Sequence, residues 1–302
     1  MEEKYINKII LGDCLDVLRS VPDRSVDLVI LDPPYWKIVN EHWDFEWRTK
    51  SDYSKWCLDW FSEVARVIKR SGSLYLFGYT RNLIYLYKDI VELGFIFRQE
   101  LIVDKGLRSL GGRATKGYKQ FPNTTETIWF FNYDSKPFIK DFLKKRQKVL
   151  KLTALDINTR LGVKVNGGGV WSLYTGNNIL AQVPTRAMWK KLQEVLEFDM
   201  PYEEIGQTFN IDMGITNVWR DIDFYKEKRF HPTQKPVALI ERIVSASSQP
   251  GMIVLDPFMG AGSTALACIN LKRDFIGIEK DPKFVEISNK RIEQEGKKQA
   301  LF

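Results

Sequence analysis

Two apolar stretches of this sequence end in the dipeptide Asp-Pro, and they constrain the fold more than any other feature. The first reads SVDLVILDPPYW over residues 25–36, and the second reads GMIVLDPFMGAGSTALAC over residues 251–268. Proline cannot donate to the hydrogen-bonded ladder of a central strand, so each strand is expected to end there. In open α/β sheets, ligands bind beyond the carboxyl ends of the strands. Both stretches therefore predict a strand that delivers an acid to such a site.

Strands and helices alternate on both sides of a basic middle segment. The predicted strands are residues 6–11, 26–31, 73–77, 127–131, 252–255 and 274–278. The predicted helices are residues 14–20, 53–69, 80–93, 186–198, 237–245 and 263–270. This alternation is typical of a doubly wound, mostly parallel sheet with helices on both faces. We therefore predict an α/β fold for this chain of 302 residues.

Positive charge is concentrated in the middle of the chain. The net charge of the whole sequence is +7, but in residues 136–193 twelve Lys and Arg oppose only two Asp, which leaves +10 in that segment. Such an imbalance favours a polyanionic partner over the alternative of a solvated helical face. Residues 105–120 add five basic residues and four glycines without hydrophobic periodicity, which predicts a mobile loop.

Composition argues against several classes of protein. The sequence has no long apolar run and no signal-like beginning, so we expect a soluble, cytoplasmic protein that does not contact a membrane. Its three cysteines lie far apart and it has only two histidines. We therefore expect neither a disulfide framework nor a metal site.

The second Asp-Pro stretch continues into a glycine-rich turn. Gly260, Gly262 and Ala265 match the spacing that lets backbone approach a nucleotide-like ligand, and Glu279 ends the next apolar strand about twenty residues later. A plain tight turn is one alternative, and a dinucleotide site is another. A dinucleotide would rest its pyrophosphate on the helix N-terminus, but the sequence has no hydride-transfer residues to accompany it. A nucleoside without phosphates fits the pattern equally well.

Three motifs together resemble a known family. The motifs are DPPY at residues 32–35, DPFMGAG at residues 256–262 and RFHPTQKP at residues 229–236. They resemble the signature of S-adenosylmethionine-dependent DNA amino-methyltransferases, and their order resembles the β class. The resemblance extends over essentially the whole chain, with the basic segment matched least. It implies a seven-stranded, mostly parallel sheet with one antiparallel strand.

The same resemblance implies that three regions of the chain have different roles. Residues 1–135 would form the catalytic half of the methyltransferase domain, residues 136–228 a basic target-recognition region, and residues 229–302 the cofactor-binding half. Glu279 would hold the ribose hydroxyls of S-adenosylmethionine, and Asp13 would meet its exocyclic amine. The full set of cofactor-binding residues implied in this way is Asp13, Cys14, Asp32, Thr233, Lys235, Asp256, Pro257, Phe258, Gly260, Gly262, Ser263, Thr264 and Glu279. Thr233 and Lys235 would lie near the cofactor's carboxylate.

The DPPY motif has a chemical rationale as a catalytic turn. The amino group of a base is a poor nucleophile because its lone pair is delocalised into the ring. The Asp32 carboxylate and the Pro33 carbonyl would accept its two N–H groups and localise the lone pair towards the methyl donor. Pro33 and Pro34 stiffen the turn. Tyr35 would stack on the target base, which has to leave the duplex to react, and Trp36 would extend that platform.

We expect double-stranded DNA as the substrate and N6 of adenine as the target atom. In the resembling family, Asp at the first motif position mostly accompanies adenine, so N4 of cytosine is the alternative. An RNA or protein-amide methyltransferase is less favoured, and a DNA-binding module with a helix-turn-helix at residues 202–222 is the third hypothesis. The expected DNA contacts are Trp36, Arg108, Arg113, Lys116, Lys144, Lys145 and Arg146. The resemblance also suggests a homodimer and a cognate restriction endonuclease.

Overall fold

The structure is a computed structural model that describes residues 5–36, 46–111, 119, 121–163, 169–177, 180–231 and 233–299. Its strands are β1 (Lys8–Leu11), β2 (Val26–Leu31), β3 (Ile68–Phe77), β4 (Phe95–Asp104), β5 (Thr125–Tyr133), β6 (Val218–Trp219), β7 (Ile253–Asp256) and β8 (Asp274–Glu279). Its helices are α1 (Cys14–Leu18), α2 (Lys50–Val67), α3 (Thr80–Leu83), α4 (Tyr87–Glu92), α5 (Lys136–Val149), α6 (Ala154–Arg160), α7 (Gly169–Thr175), α8 (Arg186–Leu196), α9 (Val237–Ser247), α10 (Ser263–Asn270) and α11 (Pro282–Gln299).

The strands form one sheet in the order β1-β8-β7-β2-β3-β5-β4-β6. Strand β5 runs antiparallel to both of its neighbours, and every other adjacent pair is parallel. This confirms the α/β class and the single antiparallel strand. Among the described residues the sheet has eight strands rather than the expected seven, because the two residues of β6 pair with β4.

Strand β2 shows how the sheet is covered on both faces. All six of its residues are buried, and successive side chains enter different clusters. Val29 and Leu31 pack with Trp60 of α2, whereas Leu28 and Ile30 pack with Ile240 of α9. Burial on both faces explains why the strand is apolar at nearly every position rather than alternating with polar residues.

The sequence located most of these elements. The bounds of β2 and α10 are those that we predicted. The predicted helix over residues 80–93 is instead two short helices, α3 and α4. Strands β4 and β6 and helices α5, α6, α7 and α11 were not predicted. In β4 the reason is a register shift between Phe97 and Gln99, which breaks the alternation of buried and exposed residues.

The chain divides into two compact units. The first comprises Met1–Tyr133 with Thr208–Phe302, and the second is Asp134–Gln207. The second unit is helical, and its core includes Leu143 of α5, Trp171 of α7 and Trp189 of α8. Residues 202–222 contain a 3₁₀ turn at Tyr202–Glu204 and the strand β6, not two helices, so the helix-turn-helix hypothesis is wrong. Within the described ranges, none of the helices has the length and apolarity needed for a bilayer span.

Candidate active site

A cavity of about 750 Å³ lies where the parallel strands end. Strands β2 and β7 are neighbours in the sheet, so the two Asp-Pro turns that follow them lie side by side at this edge. Asp32 and Asp256 both line the cavity, together with Glu279 at the end of β8. Of the residues predicted to bind the cofactor, all but Gly262 line it. The fold thus brings together segments that are far apart in the sequence.

The glycine turn forms one wall of this cavity. The backbone N–H of Gly260 donates to Oε2 of Glu279 over 2.8 Å, and the N–H of Asp281 donates to Oε1 over 2.8 Å. Burial raises the pKa of Glu279 despite these bonds. Gly262 has φ +84°, and a Cβ there would lie 2.7 Å from Cβ of Ser288 in α11. Gly262 therefore allows the turn to pack closely on α11, whereas Gly260 lines the cavity.

Asp256 is buried and holds the start of the same turn. Its Oδ1 accepts the N–H of Phe258 over 2.9 Å, and its Oδ2 accepts the hydroxyl of Thr264 over 2.6 Å. Burial raises the pKa of Asp256 to about 7 against these two bonds, and the nearby Asp32 carboxylate raises it further. A cationic ligand in the cavity would favour the ionised form of this side chain.

The DPPY turn is fixed through two of its carbonyl groups. The hydroxyl of Tyr53 in α2 donates to the carbonyl of Pro34 over 2.8 Å. Nδ2 of Asn82 in α3 donates to the carbonyl of Tyr35 over 2.7 Å. Among the residues that the structure describes, no donor reaches the carbonyl of Pro33, which lines the cavity. Within the described part of the chain, the turn is therefore anchored at the carbonyls of Pro34 and Tyr35 and not at that of Pro33.

The carboxylate of Asp32 is paired within the site. Nζ of Lys235 lies 2.9 Å from Oδ1 and 2.8 Å from Oδ2, and the hydroxyl of Tyr35 also donates to Oδ1. Burial alone would lower the pKa of Lys235, but the Asp32 and Glu126 carboxylates outweigh it and raise that pKa. The two carboxylates therefore favour the ammonium form of Lys235. We predicted that it lies near a cofactor carboxylate, whereas in the structure its direct partner is Asp32.

Glu126 and Lys105 also belong to this group, and the sequence analysis missed both. Oε1 of Glu126 lies 3.3 Å from the Tyr35 hydroxyl and 3.7 Å from Nζ of Lys235. Its Oε2 accepts from Nζ of Lys105 over 3.1 Å. Since β5 runs antiparallel, its first residues lie at the edge where the parallel strands end. The signal that could have revealed Glu126 was that it is the only charged residue in the strand TETIWFFNY.

Aromatic side chains surround the turn. Trp36 has φ +55°, and its Nε1 donates to the carbonyl of Trp47 over 3.1 Å. Its ring stacks on Tyr53 with the centroids 6.2 Å apart. Trp36 therefore packs within the protein and does not line the cavity, whereas Trp47 and Tyr35 do. The Tyr35 ring meets Tyr79 edge to face at 5.6 Å.

The residues expected to contact DNA lie in different settings. Arg108 lies in the 3₁₀ turn Leu107–Leu110, with its guanidinium 4.6 Å from the centre of the Tyr225 ring. Lys144 and Lys145 are exposed on α5. Arg146 instead donates to the Leu196 carbonyl over 2.9 Å and also to the carbonyl of Glu197, at the carboxyl end of α8. Arg113 and Lys116 lie outside the described residues.

Comparison with known proteins finds similarity to DNA methyltransferases in sequence and in fold. The family model of N6/N4 methyltransferases, described as DNA methylase, matches residues 26–290. The type II methyltransferase M1.MboII of Moraxella bovis is 28% identical over 284 residues, which cover 94% of this chain and 95% of that protein. The crystal structure of the M1.HpyAVI–SAM complex has a TM-score of 0.57 at 21% identity and covers 94% of this chain and 98% of that one. The cytosine-N4-specific PvuII DNA methyltransferase has a TM-score of 0.57 at 18% identity, covering 96% and 89%.

Proposed function

The chain belongs to the DNA methylase family of N6/N4 amino-methyltransferases, and we propose that within this family it methylates N6 of adenine in DNA. Its cofactor is S-adenosylmethionine, which supplies an electrophilic methyl group on a sulfonium. Transfer of this methyl group to a DNA base follows from the family. The choice of adenine, the residue roles and the flipping of the base are the finer parts of the proposal.

The observation that carries the proposal is the pair of acceptors at the DPPY turn. The Pro33 carbonyl has no donor within the described part of the chain, while its neighbours Pro34 and Tyr35 have theirs. The Asp32 carboxylate lies one residue away. An exocyclic amine that donated one N–H to each would become pyramidal, with its lone pair directed to the other side. Two fixed acceptors at one cavity suit this reaction better than a simple binding role.

The opposite wall of the cavity fits the cofactor. Gly260 has φ +54°, and a Cβ there would meet only the Phe258 carbonyl oxygen, at 3.9 Å, so backbone can approach a ligand closely. Glu279 presents a carboxylate at the end of β8, where ribose hydroxyls could donate to it. Asp256 and Asp32 place negative charge near a cationic donor. We infer that Gly260, Asp256 and Glu279 hold and orient S-adenosylmethionine, while the main role of Asp32 is in the transfer step.

The target base has to leave the duplex to reach a cavity of this kind. Tyr35 lines the cavity and supplies an aromatic face for an extruded base. The exposed Lys144 and Lys145 supply positive charge for the phosphate backbone. A homodimer and a cognate restriction endonuclease stay predictions.

Adenine is favoured over cytosine by the acid at the first motif position. A carboxylate is a stronger acceptor than a hydroxyl, and the Asp32 carboxyl group lies in an ion pair with Lys235. The family model covers N6 and N4 methyltransferases, and the PvuII enzyme, which has a similar fold, is named as cytosine-N4-specific. Methylation of adenine N6 and methylation of cytosine N4 need the same pair of acceptors. Identification of the methylated base in the product therefore decides between them.

The experiment is a methyl-transfer assay with duplex DNA, single-stranded RNA and a protein substrate in parallel, followed by nucleoside mass spectrometry. We expect N6-methyladenine from duplex DNA and no product with Asp32→Ala. N4-methylcytosine as the main product would overturn the adenine proposal alone. Transfer only to RNA or protein would overturn DNA as the substrate.

A further inference from the structure

Four charged side chains form a cluster beside the catalytic turn. Lys235 contacts Asp32, Glu126 lies between Lys235 and Lys105, and the exposed fractions of these four side chains run from 6% to 20%. Charges so far removed from water are costly unless they are paired, and here two ammonium groups meet two carboxylates. The cluster is thus a balanced unit, and removing one member leaves an uncompensated charge.

Lys235 connects this cluster to the cofactor wall. Its ammonium group holds Asp32, while its backbone carbonyl accepts the hydroxyl of Ser263 over 2.7 Å. Ser263 is the first residue of α10, directly after the glycine turn. A displacement of Lys235 would therefore disturb the acceptor of the target amine and the start of α10 together.

We propose that Glu126 is a positioning residue for methyl transfer, which holds the Lys235 ammonium so that Lys235 fixes the orientation of the Asp32 carboxylate. Glu126 does not touch the reacting atoms in this scheme, and the inference rests on the proposed function. Each carboxylate oxygen has two lone pairs; Lys235 occupies one on each oxygen of Asp32, and the Tyr35 hydroxyl occupies the second one on Oδ1. One lone pair of Oδ2 is then left, and in this scheme it accepts from the amine.

The charge of Lys235 depends on its neighbours. Burial opposes its ammonium form, and the carboxylates of Asp32 and Glu126 restore it, so that its pKa is raised. The phenols of Tyr35 and Tyr79 also face it. Loss of the Glu126 charge would let Lys235 lose its proton at a lower pH, and the ion pair with Asp32 would be lost with that proton.

The test compares Glu126→Gln with Glu126→Asp in the full-length protein. We expect Glu126→Gln to lower kcat about 10- to 100-fold, with little change in the Kd of S-adenosylmethionine or of duplex DNA. We also expect the alkaline limb of its kcat profile to move about one pH unit or more to lower pH. Glu126→Asp keeps the charge, so its alkaline limb should stay near that of the unaltered protein even if kcat falls.

Lys105→Met is the matched control. It removes the other cation from the same carboxylate but leaves Glu126 facing Lys235, so its alkaline limb should not move to lower pH. Circular dichroism and thermal unfolding establish that each variant is folded. Unchanged kcat in Glu126→Gln, or the same shift of the limb in Lys105→Met, would overturn the positioning role. Failure of the unaltered protein to methylate DNA would instead count against the proposed function, so the two failures are distinguishable.

Discussion

Gly262→Ala should destabilise the protein much more than Gly260→Ala, although both glycines have positive φ. The difference lies in what a new Cβ would meet. At Gly262 it would lie 2.7 Å from Cβ and 3.3 Å from Cα of Ser288, which is fully buried in α11. At Gly260 the nearest atom is the carbonyl oxygen of Phe258, at 3.9 Å.

The magnitudes follow from these contacts. Left-handed backbone costs an alanine about 1–2 kcal/mol, and this cost is common to both variants. Forcing a methyl group into packed atoms costs a further ~1–3 kcal/mol, and this applies only at Gly262. We therefore expect losses in the free energy of unfolding of about 1–2 kcal/mol for Gly260→Ala and about 2–5 kcal/mol for Gly262→Ala.

Urea denaturation at 25 °C measures both losses, and Ser288→Gly completes a double-mutant cycle. Ser288→Gly removes the Cβ that the new methyl group would strike, so in the double variant the two changes should compensate by about 1–3 kcal/mol. Equal losses for the two alanine variants, or a cycle without coupling, would refute the close-packing argument for Gly262.

Three further predictions address catalysis, DNA binding and pH. Asp32→Ala should abolish methyl transfer but leave S-adenosylmethionine binding largely intact by calorimetry, and substantial turnover would contradict its role. Replacing the exposed Lys144, Lys145 and Lys148 with Ala should make the slope of log K for DNA binding against log salt shallower by up to about 2.7, because each phosphate contact contributes about 0.9. An unchanged slope would mean that these lysines form only a solvated face. Burial raises the folded-state pKa of Asp256 to about 7 from 3.8, so the protonated carboxyl group contributes to the free energy of unfolding. This contribution is complete below about pH 4 and is lost as the pH rises through 7. Unfolding free energies measured against pH should therefore fall by at most about 1.4 kcal/mol per pH unit from this group, and Asp256→Asn should remove that dependence.

The sequence predicted the elements whose ends are marked by proline or glycine. Strand β2 ends where Asp-Pro begins and α10 begins where the glycines end, so both were bounded correctly. Strand β6 lies at the edge of the sheet and has only two residues, and it is defined as a strand only by its pairing with β4. Helix α5 was missed because six basic side chains over residues 136–149 hide the buried positions Ile139 and Leu143.

Some features of the candidate site could be predicted from the sequence, and others could not. Motifs located the residues that line the cavity, because strand ends converge in any sheet of this topology. The partners of Lys235 could not be predicted, since they depend on the antiparallel course of β5 and on side-chain conformations set by packing. The same limit applies to Tyr53 and Asn82, whose hydrogen bonds to the DPPY turn come from two different helices.

The strand order also has a consequence for synthesis on the ribosome. The first strand of the chain, β1, lies beside the last, β8, and β2 lies beside β7. A nascent chain that already displays Asp32 therefore lacks the wall formed by Asp256 and Glu279 until its final segment emerges. Such pairings between distant segments form late in folding. An interrupted translation product would carry the DPPY turn with only one wall of the cavity, so we expect premature termination to yield protein without methyl-transfer activity.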